Sequence, residues 1–223
     1  PIAERVDASE LRNDFWISNQ PGFTPLLFAM GAGAAAFSAF RKAVLAEGAS
    51  EMILLPTLMR TALEQFDLEY QVAPGISSYT GTGIELEEVA AKVVYLVDGD
   101  QGGVDNKRRL AEMGISESRI FEFDEGKALE DYVDPGQYLG LINDLIAAGG
   151  STERISAGDL DKTVPIAKAV DLWCDANQLN APGKTVVASH LVDRGDGDDV
   201  LLLASGAKES LRLLHEALVA GLS

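Results

Sequence analysis

Four acidic residues in two short stretches have the spacing to bind a divalent cation. Asp98 and Asp100 follow the apolar stretch 93–97, while Glu47 and Glu51 follow an earlier apolar stretch. Side chains two residues apart in an extended chain point to the same side, so both aspartates can face one point. Two carboxylates at such a short distance repel each other unless a cation lies between them. Hard oxygen ligands suit Mg²⁺ or Mn²⁺, and zinc is disfavoured because neither histidine lies in these stretches.

The Asp-Gly-Asp stretch also has a purely structural interpretation. Asp and Gly are turn formers, so residues 98–100 can simply be the turn that ends a strand. An EF-hand interpretation fails, because the twelfth position counted from Asp98 is Arg109 rather than the bidentate glutamate of that loop. The cation interpretation therefore depends on whether the two pairs of acids meet in the fold.

The residues around the acids predict strands and helices that bring the two pairs together. Stretches 43–48 and 92–97 are short and apolar, as buried strands are, and a helix is predicted between them. This strand–helix–strand spacing predicts an α/β fold with a mainly parallel sheet flanked by helices. Because sites in open α/β sheets lie at the carboxyl ends of the strands, we expect Glu47 to lie near Asp98 and Asp100.

The alternation of predicted strands and helices continues to about residue 127, and the later patterns are mainly helical. The further predicted strands cover 68–73 and 118–123, and the predicted helices cover 50–66, 85–91 and 104–114. Pro56 is expected to kink the first of these helices or to mark its true start. After residue 127 the patterns are mainly helical. The predicted parts are lead-in or linker helices at 1–40, an α/β core at 41–127, and a mainly helical portion at 128–223 that completes the site and the core.

The composition is that of an acidic globular protein. A chain of 223 residues suits one domain, or one domain with a subdomain. The net charge of −17 argues against nucleic acid unless metals or a basic segment offset it. The single cysteine, Cys174, fits a reducing compartment, so a cytoplasmic protein is expected. No apolar run reaches the roughly 18 residues of a membrane span, so no membrane partner is expected.

Two stretches together resemble the Toprim fold of topoisomerases, primases and OLD-family (overcoming lysogenization defect) nucleases. "AVLAEGASEMILLP" has a glutamate after the first strand, and "VVYLVDGDQGG" has Asp-x-Asp after a later one. The OLD form is favoured by Glu51, by "APG" at 73–75, by the acidic pair in "ALEDYV", and by Lys184 in "PGKTVVASHL". The resemblance covers about residues 40–215. It implies a Toprim-like core with a helical subdomain.

The resemblance also implies a catalytic site with two ions, Mg²⁺ or Mn²⁺. One ion would be held by three acids, Glu47, Asp98 and Asp100. The second would be held by Glu51 and Glu130, with Asp131 as a further ligand. Two such ions can activate water and stabilise the leaving oxygen of a phosphodiester, and Lys184 would stabilise charge at the scissile phosphate.

Several of these residues also have ordinary structural interpretations. Glu130 and Asp131 are acids of the kind that favour the first turn of a helix. Lys184 can equally be a surface lysine. The basic run in the helix after Asp-x-Asp could follow a DNA backbone or form a solvated helix face. Its members are Lys107, Arg108 and Arg109.

By this resemblance the chain is the nuclease half of an ATPase–nuclease protein. It would be a metal-dependent DNA endonuclease that hydrolyses phosphodiester bonds. The implied partners are DNA and the protein's own ATPase domain, which would precede Pro1, with a homodimer formed through that domain. The chain itself contains no Gly-x-x-x-x-Gly-Lys-Ser/Thr phosphate loop.

Two other functions remain open at this point. In a haloacid-dehalogenase-like phosphohydrolase, Asp98 would be the nucleophile and Asp100 the general acid/base. That interpretation leaves Glu47 unexplained, and Gly102 stands where that family usually has threonine or valine. The other alternative is a regulatory Toprim module that binds metal without catalysis.

Overall fold

The computed structural model describes residues 42–75, 92–194 and 200–223. The predicted lead-in helices at 1–40 and the predicted helix at 85–91 lie outside the described residues. Within the described part of the chain, no helix is both long enough and apolar enough to cross a bilayer.

Four parallel strands form the sheet of the described fold. They are β1 (Lys42–Ala46), β2 (Gln71–Pro74), β3 (Lys92–Val97) and β4 (Ile120–Glu122). Their order in the sheet is β2-β1-β3-β4, and every neighbouring pair is parallel. The prediction of an α/β fold with a mainly parallel sheet flanked by helices is confirmed, and the arrangement is consistent with a Toprim-like core.

The described residues form six α-helices. They are α1 (Ala49–Leu63), α2 (Gln101–Glu112), α3 (Pro135–Ala148), α4 (Ile166–Ala176), α5 (Lys184–Arg194) and α6 (Ala207–Gly221). Because α1 begins at Ala49 and contains Pro56 in its interior, the alternative that the helix starts at the proline is wrong.

The sheet is buried on both faces, which explains why its strands are apolar at nearly every position. On one face, Leu45 and Tyr95 pack with Leu110 of α2 in a small cluster. On the other face, Val44 and Leu96 belong to a larger cluster that includes residues of α1 and of α3 through α6. The helices after residue 127 therefore share one core with the sheet.

Two short segments differ from their predicted structure. Glu117–Arg119 forms a 3₁₀ turn, so β4 begins only at Ile120 and has three residues. The segment 128–133, predicted to be helical, contains a single 3₁₀ turn at Leu129–Tyr132. Glu130 and Asp131 therefore lie in a tight turn rather than in the first turn of an α-helix.

Candidate functional site

Glu47 and Asp98 meet at the carboxyl ends of two neighbouring strands. β1 and β3 pair in parallel, with Leu45 opposite Tyr95, so the residues that follow both strands emerge at the same edge. The backbone N–H of Asp98 donates to Oε1 of Glu47 over 3.1 Å, although 51 positions separate the two residues. The sheet topology thus joins the two stretches that contain the predicted ligands.

Glu51 lies in the first turn of α1, where only 5% of its surface is exposed. Its Oε2 atom accepts hydrogen bonds from the backbone N–H of Gly48 over 2.8 Å and from the Ser50 hydroxyl over 3.3 Å. A carboxylate at this end of a helix also interacts favourably with the helix dipole. These contacts hold Glu51 directly after the end of β1.

Asp100 caps the helix that follows Asp-x-Asp. Its Oδ1 atom accepts from the backbone N–H of Gly103 over 3.0 Å, so Asp100 is the N-cap of α2. A β-carbon at Gly103 would lie 1.7 Å from the carbonyl oxygen of Asp98, which is far inside van der Waals contact. Glycine at position 103 therefore lets α2 begin directly against Asp98.

A turn after β4 holds the middle of the Asp-x-Asp stretch. The N–H of Gly99 donates to the carbonyl of Lys127, and the N–H of Gly126 donates to the carbonyl of Gly99, both over 2.7 Å. A β-carbon at Gly99 would lie 2.0 Å from the carbonyl oxygen of Asp124. This turn could not be predicted, because nothing in residues 124–127 identifies the segment with which they pair.

Glu130 and Asp131 are neighbours in the chain but have different environments. Glu130 is buried, with 3% of its surface exposed. Asp131 accepts two backbone hydrogen bonds, one at Oδ2 from Ala128 over 2.8 Å and one at Oδ1 from Ile166 over 2.9 Å. The two acids of the predicted pair therefore have different local contacts.

Lys184 is an exposed residue at the start of α5 that interacts electrostatically with the acids. Partial desolvation lowers the pKa of its ammonium group, but Glu130, Asp98 and Glu51 outweigh that effect, so the pKa is raised overall. Asp171 of α4 acts in the same direction. Asp171 could not be predicted from the sequence, because it lies in no motif and ordinary helix periodicity explains its position.

Asp98 carries the clearest sign of uncompensated negative charge. Burial is the main cause that raises the pKa of Asp98 to about 8. Three further carboxylates act in the same direction, those of Glu47, Glu51 and Glu130. Oδ1 of Asp98 is buried and has no hydrogen-bond partner among the described residues. Burial is also the main cause that raises the pKa of Glu130.

Most of the predicted catalytic and metal-binding residues therefore belong to one group. That group comprises Glu47, Glu51, Asp98, Glu130 and Lys184. Asp100 and Asp131 interact electrostatically with each other. Among the described residues, no three His, Cys, Asp or Glu side chains form a ready-made metal-binding cluster. Backbone N–H groups instead orient several of the carboxylates.

The three basic residues predicted to contact DNA lie on α2 and have side-chain partners. Lys107 pairs with Glu122 over 3.0 Å, and Arg108 pairs with Asp105 over 2.9 Å. Arg109 donates to a side-chain amide oxygen one turn earlier over 2.9 Å. The two ion pairs are exposed, and such pairs contribute only about 0–1 kcal/mol each. DNA phosphates can therefore compete for these side chains, and their role stays a prediction.

Comparisons with known proteins add one structural likeness. No protein-family model matches the chain, and no curated protein matches it. Among solved structures, the chain is similar to the C-terminal region of the Burkholderia pseudomallei OLD protein, with a TM-score of 0.48 and 17% sequence identity. The alignment covers 82% of this chain and 99% of that one. A likeness at this level identifies neither family nor function.

Proposed function

We propose that this chain is a metal-dependent DNA endonuclease whose site is built on Glu47, Asp98 and Asp100. The observation that carries the proposal is Oδ1 of Asp98, which is buried without a partner among the described residues. Three carboxylates from two other segments, those of Glu47, Glu51 and Glu130, interact with it electrostatically. Such a concentration of buried acids is unfavourable unless protons or cations neutralise it. A cation site accounts for that arrangement.

The chemistry of the donor set fits Mg²⁺ or Mn²⁺. All the candidate ligands are hard carboxylate oxygens, which these ions prefer. Glu47, Asp98 and Asp100 would hold one ion, and Glu51 with Glu130 would hold the second. A bound ion would either displace the backbone N–H groups that donate to these carboxylates or contact the same carboxylate oxygens together with them.

The chain's own residues position the reaction and offset its charge. When bound, the ions would supply an activated water and stabilise the leaving oxygen. The N-cap bond of Asp100 and the turn against Gly99 keep the Asp-x-Asp stretch in one conformation. Lys184 would add positive charge where negative charge builds up on the phosphate. Because the carboxylates serve mainly to hold ions, no histidine base is required.

DNA is the proposed substrate, and α2 is the proposed contact surface. Asp100 is the N-cap of this helix, so the basic residues of α2 lie on the element that directly follows the site. These residues are Lys107, Arg108 and Arg109. The net charge of −17 opposes DNA binding over the rest of the surface. The proposal also includes an ATPase domain that precedes Pro1 in the whole protein, through which two copies would associate.

Cleavage of supercoiled plasmid DNA tests this proposal. The protein should nick or linearise the plasmid with Mg²⁺ or Mn²⁺, and EDTA should stop the reaction. Glu47→Gln should lower the rate by about 100-fold or more and should weaken Mn²⁺ binding measured by electron paramagnetic resonance. Glu69→Gln is the matched control, because the exposed Glu69 interacts with Lys42 and His215 rather than with the acids of the site, and it should leave both measurements unchanged.

The two alternatives give different results in the same assays. A phosphohydrolase should hydrolyse p-nitrophenyl phosphate, leave the plasmid intact and tolerate Glu47→Gln. A regulatory module should bind Mn²⁺ and cleave neither DNA nor RNA. Either pattern would replace the nuclease proposal.

A further inference from the structure

Both carboxylate oxygens of Asp131 accept backbone hydrogen bonds. Each of its two oxygens accepts a backbone N–H, that of Ala128 over 2.8 Å and that of Ile166 over 2.9 Å. Hydrogen bonds from backbone N–H groups to a carboxylate are charge-assisted and stronger than neutral ones. An ion at Asp131 would have to compete with both of these bonds.

The two amides belong to segments that need this carboxylate. Ala128 precedes the 3₁₀ turn that contains Glu130, and the bond from its N–H closes that turn. Ile166 is the first residue of α4, and the residue before it, Pro165, makes no side-chain cap. Asp131 therefore supplies the acceptor that the N-terminus of α4 would otherwise lack. Its negative charge at that helix end is also favourable.

Both segments carry charged residues of the site. The 3₁₀ turn contains Glu130, which interacts electrostatically with Asp98. α4 contains Asp171, which interacts electrostatically with Lys184. A single carboxylate thus joins the turn that contains one acid of the site to the helix that contains another.

We propose that Asp131 is a positioning residue that fixes the turn of Glu130 and the start of α4, and that it is not a metal ligand. This inference rests on the proposed metal site. Residues that orient metal ligands through hydrogen bonds typically change metal affinity by about 10- to 100-fold when they are replaced. Loss of a ligand instead removes a binding site or most of its affinity.

Four variants separate positioning from ligation. Asp131→Asn keeps the shape but has only one oxygen for two amides, and Glu130→Gln removes a proposed ligand. Ile166→Pro deletes one amide donor and leaves the carboxylate of Asp131 intact. Proline is favoured at the first position of a helix, and Pro165 has the extended backbone (φ −53°, ψ 147°) that a following proline requires. Asp134→Asn is the control, because Asn caps α3 as well as Asp does.

The measurements are Mn²⁺ stoichiometry and affinity by isothermal titration, and amide hydrogen exchange at Ala128 and Ile166 by NMR. In Asp131→Asn we expect the wild-type number of ions, affinity weakened by about 10- to 100-fold, and faster exchange of at least one amide. Ile166→Pro should weaken Mn²⁺ binding in the same way, although every carboxylate is present. Glu130→Gln should lose one ion, and Asp134→Asn should match the wild type.

Other results would overturn the inference. If Asp131→Asn loses an ion as Glu130→Gln does, while Ile166→Pro binds Mn²⁺ normally, then Asp131 is a ligand. If the wild-type protein binds no Mn²⁺, the proposed function fails, and amide exchange alone then decides whether Asp131 holds the two segments. Unchanged exchange of both amides in Asp131→Asn would show that it does not.

Discussion

The site joins two regions that are held in place by different means. Glu47 and Asp98 follow neighbouring parallel strands, and the hydrogen bond between them follows from the pairing of those strands. Glu130 and Lys184 come from the helical part, where hydrogen bonds such as the one from Ile166 to Asp131 hold the segments together. The strand-end acids thus depend on the sheet, whereas the other half depends on how helices pack.

The largest effect should come from Gly103→Ala in the strand-end region. The added β-carbon would lie 1.7 Å from the carbonyl oxygen of Asp98, and backbone cannot move away as a flexible side chain can. We expect the free energy of unfolding to fall by at least about 3 kcal/mol, measured by urea denaturation. A smaller loss would mean that the start of α2 is not tightly fixed.

Gly140→Ala in α3 is the matched control from the helical region. A β-carbon at Gly140 meets no described atom within 4 Å. The same substitution there should stabilise the protein by about 0.5–1 kcal/mol, because alanine loses less backbone entropy in a helix. If the free energy of unfolding falls in Gly103→Ala and rises in Gly140→Ala, the loss at position 103 is due to the steric clash and not to helix propensity.

The strand-end half of the site could be predicted from the sequence because its signals are local. The apolar runs of β1 and β3 mark buried strands, and acids directly after parallel strands must emerge at one edge. The meeting of Glu47 with Asp98 follows from those two facts. This contact could be predicted without knowing how the other segments of the chain pack.

The rest could not be predicted, because it depends on hydrogen bonds of backbone groups that no sequence pattern identifies. "ALEDYV" has a helical pattern, yet the carboxylate of Asp131 binds back to Ala128 and closes a 3₁₀ turn. Gly99 is held by residues 126 and 127, which look like any polar turn. A backbone N–H leaves no mark in the sequence to show which carbonyl or carboxylate it will meet.

The next largest effect concerns pH and the acids around Asp98. The pKa of Asp98 is raised from 3.8 to about 8 in the metal-free protein. A carboxyl group with a raised folded pKa contributes stability at low pH and loses it as pH rises through the folded value. We therefore expect Mg²⁺ to raise the melting temperature more at pH 8 than at pH 5.5.

Asp98→Asn tests the same charge directly. Without metal at pH 8, it should raise the free energy of unfolding by about 1–3 kcal/mol, because it removes a buried charge that other carboxylates repel. In this variant, Mg²⁺ should raise the melting temperature little or not at all. Asp175→Asn replaces an exposed acid of α4 and should keep the wild-type response. Destabilisation by Asp98→Asn in the metal-free protein would contradict the electrostatic account of the site.

A smaller effect should come from the contact that joins the sheet side to α6. The hydroxyl of the buried Tyr70 lies 3.1 Å from Nδ1 of His215. Tyr70→Phe should lower the free energy of unfolding by about 0.5–1.5 kcal/mol. A change near zero would show that this hydrogen bond does not help to fasten α6 to the sheet.

His215 should also make stability depend on pH in the opposite direction from Asp98. Burial lowers the pKa of His215, and Glu69 and Glu216 only partly oppose it. A histidine with a lowered folded pKa contributes stability above its ordinary value of about 6.5 and loses it as pH falls below that value. NMR titration of the imidazole should place its pKa below 6.5, and a higher value would contradict this.

The smallest effect on stability should come from the basic face of α2. Lys107→Gln breaks an exposed ion pair with Glu122, so the free energy of unfolding should change by less than about 0.5 kcal/mol.

If α2 contacts DNA, the same variant should weaken binding equally for all sequences. It should also reduce the slope of log affinity against log salt concentration by about 1. Glu122→Gln is the informative counterpart, because it frees the ammonium of Lys107 and should strengthen binding at low salt. An unchanged salt slope in both variants would remove α2 from the proposed DNA-binding surface.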